Sequence, residues 1–159
     1  MRKLIWLFSL LIVLSACGQG VNAPGPTVEG DEELASAEWL FEVGTEQTDN
    51  ELNIKLNVTN NKEEASTIDF SSGQKYEIVL VDKDGAETYR YSNGRMFTMA
   101  LVHESFEPGE SKEFSETISL DEMEAGTYTL TAQLVLAAID GEQWSEDGTF
   151  QKSLDVEIK

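Results

Sequence analysis

The stretch ELNIKLNVTN, Glu51–Asn60, sets Leu52, Ile54, Leu56 and Val58 at every second position, with Asn53, Lys55, Asn57 and Thr59 between them. Successive side chains of a strand point to opposite faces, so this alternation predicts one apolar and one polar face. Working outward, the same period recurs on both sides. AEWLFEVG (37–44) precedes it. STIDF (66–70) is short and reads as an edge, and KYEIVLVD (75–82) is rich in strand formers. AETYRYS (86–92) and RMFTMALVHE (95–104) flank an Asn93-Gly94 pair. SKEFSETISL aligns Phe114, Ile118 and Leu120, with Glu116 interrupting the apolar row. GTYTLTAQLVL aligns Tyr128, Leu130, Ala132, Leu134 and Leu136, and GTFQKSLDVEIK supplies Phe150, Leu154, Val156 and Ile158.

Turn signals separate these runs: Asn60-Asn61, Asp84-Gly85, Asn93-Gly94, Pro108-Gly109, Ala125-Gly126 and Asp140-Gly141. Pro24, Pro26 and Pro108, the three prolines, lie outside the strand interiors. After the leader no stretch of ten residues has helical period, although LDEMEAG (120–126) has room for one helical turn. The pattern predicts an all-β domain, an antiparallel two-sheet β-sandwich of about eight strands over residues 34–159. Tyr128, opening a strand after a glycine turn, is similar to the tyrosine corner of such sandwiches.

Acidic residues outnumber basic ones 30 to 11, and the formal charge is −19. Nucleic acid and anionic lipid surfaces both need a Lys/Arg patch, so this balance argues against either as a docking partner. Solubility is the simplest use of such charge.

The chain begins MRKLIWLFSLLIVLSACGQG. Arg2 and Lys3 precede an apolar run, residues 4–14, far shorter than the ~20 residues of a membrane span. Residues 1–16 therefore read as a signal peptide. The ending Leu14-Ser15-Ala16-Cys17 resembles a bacterial lipobox, which implies cleavage before Cys17 and acylation of its thiol. Cys17 is the single cysteine, so no intramolecular disulfide is available. Residues 17–33, rich in Gly, Pro and acids, read as a flexible linker between lipid and domain. The expected location is the cell membrane, lipid-anchored and facing the extracytoplasmic side.

Enzymatic chemistry finds little material. His103 is the single histidine, and no GxSxG elbow accompanies it. Metal clusters of His and Cys need more than one of each. DKDGAE (82–87) lacks the ligand spacing of an EF-hand and reads as an Asp-Gly hairpin turn. IDGEQWSEDG (139–148) collects acids around Trp144 and reads as an exposed loop, with calcium a weaker reading. Nothing marks a glycosidase carboxylate pair. The expectation is a binding protein without cofactor or catalytic residues.

One segment stands out by charge. Of the three arginines, Arg90 and Arg95 bracket the Asn93-Gly94 turn of this acidic chain. A two-residue type I′ hairpin there would set Ser92 opposite Arg95, Tyr91 opposite Met96 and Arg90 opposite Phe97. Two readings are open. Ser92, Asn93, Gly94, Arg95 and Met96 form a protruding partner-binding loop, with Met96 or Arg95 entering a pocket. Alternatively the arginines pair with acids across the sheet while the aromatics pack.

The block FSSGQKYEIVLVDKDGAETYRYSNGRMFTMALVHESFEPGESKEFSETI, residues 70–118, resembles the BsuPI-type intracellular proteinase inhibitor family. The matching pieces are Phe70 to Gln74, Tyr89 to Ser92, Met96-Phe97-Thr98, EPGES and AGTYTLTAQL. The resemblance implies an immunoglobulin-like sandwich that binds and inhibits a subtilisin-type serine protease, without cofactor. It carries over no reactive-site motif. Met99 stands where the family often has Gln. The family is named for a cytoplasmic protein, whereas the leader here sends the domain outward, so the expected partner is an extracytoplasmic serine protease. The rival reading is a non-inhibitory envelope scaffold that binds another envelope protein. In FSSGQ, Gly73 is expected to supply an unusual backbone angle and Gln74 to satisfy buried backbone groups.

Overall fold

In the computed structural model, residues 38–145 and 148–159 are described. The leader, Cys17 and the expected linker lie outside them. Eleven strands follow one another: β1 Trp39–Gln47, β2 Glu51–Asn60, β3 Ser66–Phe70, β4 Tyr76–Val81, β5 Glu87–Arg90, β6 Val102–Phe106, β7 Ser111–Ser119, β8 Gly126–Leu134, β9 Ala138–Ile139, β10 Glu142–Gln143 and β11 Gln151–Ile158. They form three antiparallel sheets, β1-β2-β7, β10-β9-β3-β6 and β11-β8-β4-β5. The all-β sandwich expected from the period is present. It carries a third sheet, β10-β9-β3-β6, small because its strands are of only two to five residues, that the sequence pattern did not predict.

The alternation in β2 is the reason for its place. Leu52, Ile54, Leu56 and Val58 are fully buried. β2 is hydrogen-bonded on both edges, with Leu56 opposite Val43 of β1 and Phe114 of β7. Ile78 and Leu80 of β4 and Leu130 and Ala132 of β8 join the same core. Truncating one such leucine to alanine costs about 2–5 kcal/mol. The small sheet reaches this core through Ile68, Phe70 and Phe106, the last edge-on to Trp39 at 5.2 Å. β3 lies between β9 and β6, so it is an interior strand and not the edge its length suggested.

Polar side chains close the joints. Asn60, fully buried at the end of β2, donates from Nδ2 to the carbonyls of Glu64, Phe106 and Glu107 at 2.9, 3.2 and 3.3 Å. Its Oδ1 accepts from Lys62 N–H at 3.0 Å. Buried amides and carbonyls need such partners, and Asn60 meets four of them at the step from β2 to β3. Tyr128 donates its hydroxyl to the Glu124 carbonyl at 2.9 Å, which makes the expected tyrosine corner real.

Two local readings change. Residues 120–126 hold a turn, with Met123 N–H on the Leu120 carbonyl at 3.0 Å, and no helix. The acidic segment 139–148 is not a plain loop. β10 lies within it and pairs with β9, which begins one residue before it and adds to β3.

The larger change concerns Asn93-Gly94. Type I′ geometry needs positive φ at both residues. Gly94 has φ +71°, but Asn93 is not in the positive-φ region, so the turn here is not type I′ and no two-residue hairpin forms. β5 stops at Arg90. The backbone runs on without strand pairing over residues 95–101 and enters β6, in a different sheet. The two halves of the expected hairpin belong to different sheets, joined by a crossover.

Candidate functional site

The end of β5 shows why the crossover begins where it does. Tyr91 N–H still bonds the Ile78 carbonyl of β4 at 2.8 Å. Ser92 N–H bonds the Glu77 side chain instead, Oε1 at 3.1 Å. The next ladder donor, two residues beyond Tyr91, is Asn93 N–H, and it turns back onto the Arg90 carbonyl at 3.1 Å, so pairing with β4 ends. Glu77 is a buried acid of β4 that also accepts from Gln74 Nε2 at 3.2 Å and Ile78 N–H at 3.2 Å, with the Arg90 guanidinium at ion-pair distance, 3.9 Å. Gln74 also donates to the Tyr76 carbonyl at 3.3 Å, the role expected for it. Arg90 grips Glu87 through both Nε and Nη2.

Arg95 answers to a second inward acid. Its Nη2 donates to Glu116 Oε1 of β7 at 2.5 Å. The Tyr89 hydroxyl donates to the same oxygen at 3.1 Å, and the Tyr76 hydroxyl reaches Oε2 at 3.4 Å and the Ser115 carbonyl at 3.0 Å. The Glu116 side chain is only 11% exposed. Burial and the neighbouring Glu116 charge push the Tyr89 hydroxyl up to about 12. Burial, with Tyr91 and Glu116 nearby, pushes Tyr76 up as well.

Aromatic rings continue the anchor. The Arg95 guanidinium lies 4.1 Å from the Tyr91 ring centre, a cation–π distance. Tyr91 packs on Tyr76 at 4.4 Å and on Phe97 at 5.8 Å. Thr98 then meets Gly73, whose N–H bonds the Thr98 carbonyl at 2.9 Å. A Cβ on Gly73 would sit 2.7 Å from Thr98 Oγ1. Gly73 does not occupy the left-handed region, so close approach, and not an unusual angle, explains the glycine.

The far side of the crossover is bare. Met96 is 99% exposed, Met99 94% and Leu101 60%, and these are the exposed large hydrophobic residues among the described ones. The predicted loop residues therefore separate. Met96 projects into solvent, Arg95 is engaged by Glu116, Ser92 closes the strand on Glu77, and Asn93-Gly94 make the turn between them. Sequence reasoning missed Met99 and Leu101 as tip residues, because their alternation had been assigned to a strand. Glu77 and Glu116 were missed as anchors. The available signal was an acid on an otherwise apolar strand face, in a chain with two arginines nearby.

Three other acids, Asp82, Asp140 and Asp69, are engaged elsewhere. Asp82 accepts the N–H groups of Asp84 and Ala86 at 2.9 and 2.8 Å, the expected hairpin turn. Asp140 accepts from Ser66, Thr67 N–H and Lys62, and these hold its carboxyl below the usual range although burial opposes them. His103 sits on β6 and pairs with its cross-strand neighbour Asp69 at 2.5 Å. Among the described residues no three metal-ligating side chains converge.

Residues 39–139 match the family model BsuPI, described as intracellular proteinase inhibitor. No curated protein matches the sequence. Among solved structures, β-glucosidase 3B from Thermotoga neapolitana in complex with glucose aligns at 12% identity and a TM-score of 0.40, over 74% of this chain and 15% of that one. A β-glucosidase from Kluyveromyces marxianus aligns at 13% identity and a TM-score of 0.37, over 75% and 15%. The CARDB domain of a Pyrococcus furiosus protein, in complex with di-metal ions, aligns at 13% identity and a TM-score of 0.39, over 75% and 90%. The chain thus spans about 15% of the length of the glucosidases it matches. At these identities and scores the likenesses bear on no function.

Proposed function

The chain belongs to the BsuPI family of intracellular proteinase inhibitors, and from that premise we propose that it binds and inhibits a subtilisin-like serine protease through the crossover at residues 92–101. We place this activity on the extracytoplasmic side of a membrane, with Cys17 as the lipid anchor, on the strength of the leader sequence.

One observation carries the contact surface: the exposed large hydrophobic residues of the described chain, Met96, Met99 and Leu101, all fall within residues 96–101. Surface apolar residues are ordinarily scattered, and a concentration of them marks an interaction site. The anchors support the same reading. Arg95–Glu116, the Tyr76–Tyr91–Phe97 stack and Gly73–Thr98 hold the segment from beneath. A contact segment ordered before binding avoids part of the entropy cost of association.

Titration of a subtilisin-like protease with the protein, while following cleavage of both, tests this. Stoichiometric loss of activity with an intact inhibitor supports the proposal. Unchanged activity across a panel of exported serine proteases leaves the scaffold function in its place.

A further inference from the structure

Three methionines lie among the described residues, and they have opposite surroundings. Met123 packs partly buried against the core, whereas Met96 and Met99 stand almost entirely in solvent. A thioether in solvent is open to two-electron oxidation, and the sulfoxide is polar where the thioether was apolar.

We propose that Met96 and Met99 form an oxidation site at which a peroxide weakens docking on the crossover, reversibly, without unfolding the domain. The inference rests on the reading of residues 92–101 as the contact segment. The sulfur lone pair attacks one peroxide oxygen and the O–O bond breaks. That oxygen stays on sulfur as the sulfoxide, and the other leaves as water after taking up the proton. Sulfur is oxidised and the peroxide is reduced. A methionine sulfoxide reductase restores the thioether: two thiols of the donor become a disulfide, and the sulfoxide oxygen leaves as water with their two protons.

The anchors explain why recognition would change and not the fold. Arg95, Glu116, Tyr76, Tyr91, Phe97, Gly73 and Thr98 contain no sulfur, and the contacts described for them involve neither methionine. Oxidation would leave the segment in place with a polar tip.

The test treats the full chain with hydrogen peroxide and maps added oxygen by peptide mass spectrometry. Retention on a phenyl column, thermal unfolding and inhibition of a subtilisin-like protease are then measured. The expected result is oxidation of Met96 and Met99 well before Met123, earlier elution, an unchanged unfolding midpoint and inhibition weaker by about tenfold, all but the last independent of any protease. Sulfoxide reductase should restore retention and inhibition. In the M96L/M99L double variant, retention and inhibition should be the same before and after peroxide, whatever their starting values. Equal oxidation of Met123, unchanged retention, or loss of inhibition that persists in the double variant would each overturn the inference. If the untreated chain inhibits no protease, the proposed function fails, and the retention shift with its reversal still decides the oxidation site.

Discussion

Arg95 and Glu116, 21 residues apart in sequence, meet at 2.5 Å and tie the start of the crossover to an acid on the inner face of β7. The arginine stays 42% exposed while the acid is nearly covered. Removing the arginine would leave a shielded carboxylate with two tyrosine hydroxyls as its partners. Arg95→Ala should lower stability by about 1–3 kcal/mol in urea unfolding, the cost of taking a charged hydrogen-bond partner from a largely buried carboxylate. Lost inhibition at unchanged stability would instead make Arg95 a contact residue.

Gly73→Ala should destabilise by about 1–3 kcal/mol, since its new methyl would press on Thr98 Oγ1. Thr98→Ala removes that atom, so the double variant should recover part of the loss. A double-mutant cycle in urea measures the coupling, and strict additivity would show that the two residues do not press on each other.

Tyr89 gives the fold an alkaline limit. Its hydroxyl is held protonated up to about 12, against an ordinary value of 10.0. Between those values the unfolded chain binds fewer protons than the folded one, so stability is complete below pH 10 and falls as pH rises toward 12. Tyr89→Phe should flatten that fall in part, because Tyr76 shifts in the same direction. On the acid side, Glu104 is held below its ordinary range by Lys75 at 2.5 Å and then by Lys112 at 2.9 Å. Its contribution is present above that range and is lost as pH falls through the lowered value, so Glu104→Gln should reduce the dependence on acid. Unfolding midpoints across pH measure both arms.

Met96→Asp should leave stability within about 0.5 kcal/mol, because the side chain is free in solvent. It should weaken protease inhibition by at least about tenfold. Equal inhibition by the variant would remove Met96 from the contact surface.

Much of this was legible in the sequence, for identifiable reasons. Leu52 to Val58 fix a strand because one alternating face must be buried, and Tyr128 marks its corner because a buried hydroxyl needs a carbonyl. Asn93-Gly94 misled because the dipeptide reports only a local preference. Here Asn93 N–H turns back onto the Arg90 carbonyl, Glu77 holds Ser92, and Arg95 and Phe97 hold the chain on its way toward β6. Glu116 looked like a flaw in an apolar row, since period cannot show that an arginine from another segment arrives there. β9 and β10, two residues each, are too short to carry a period at all.

The crossover separates two kinds of residue along one short stretch of backbone. Tyr91, Arg95, Phe97 and Thr98 face partners in the protein, while Met96, Met99 and Leu101 face none of the core. The pieces by which the sequence is recognisable fall largely on the first kind. Substitution of the second kind should therefore cost folding little, and on the proposed contact surface it should change binding. On the proposed contact surface the domain is a fixed mount for an exposed tip, and residues 96, 99 and 101 are the first place to graft a new specificity.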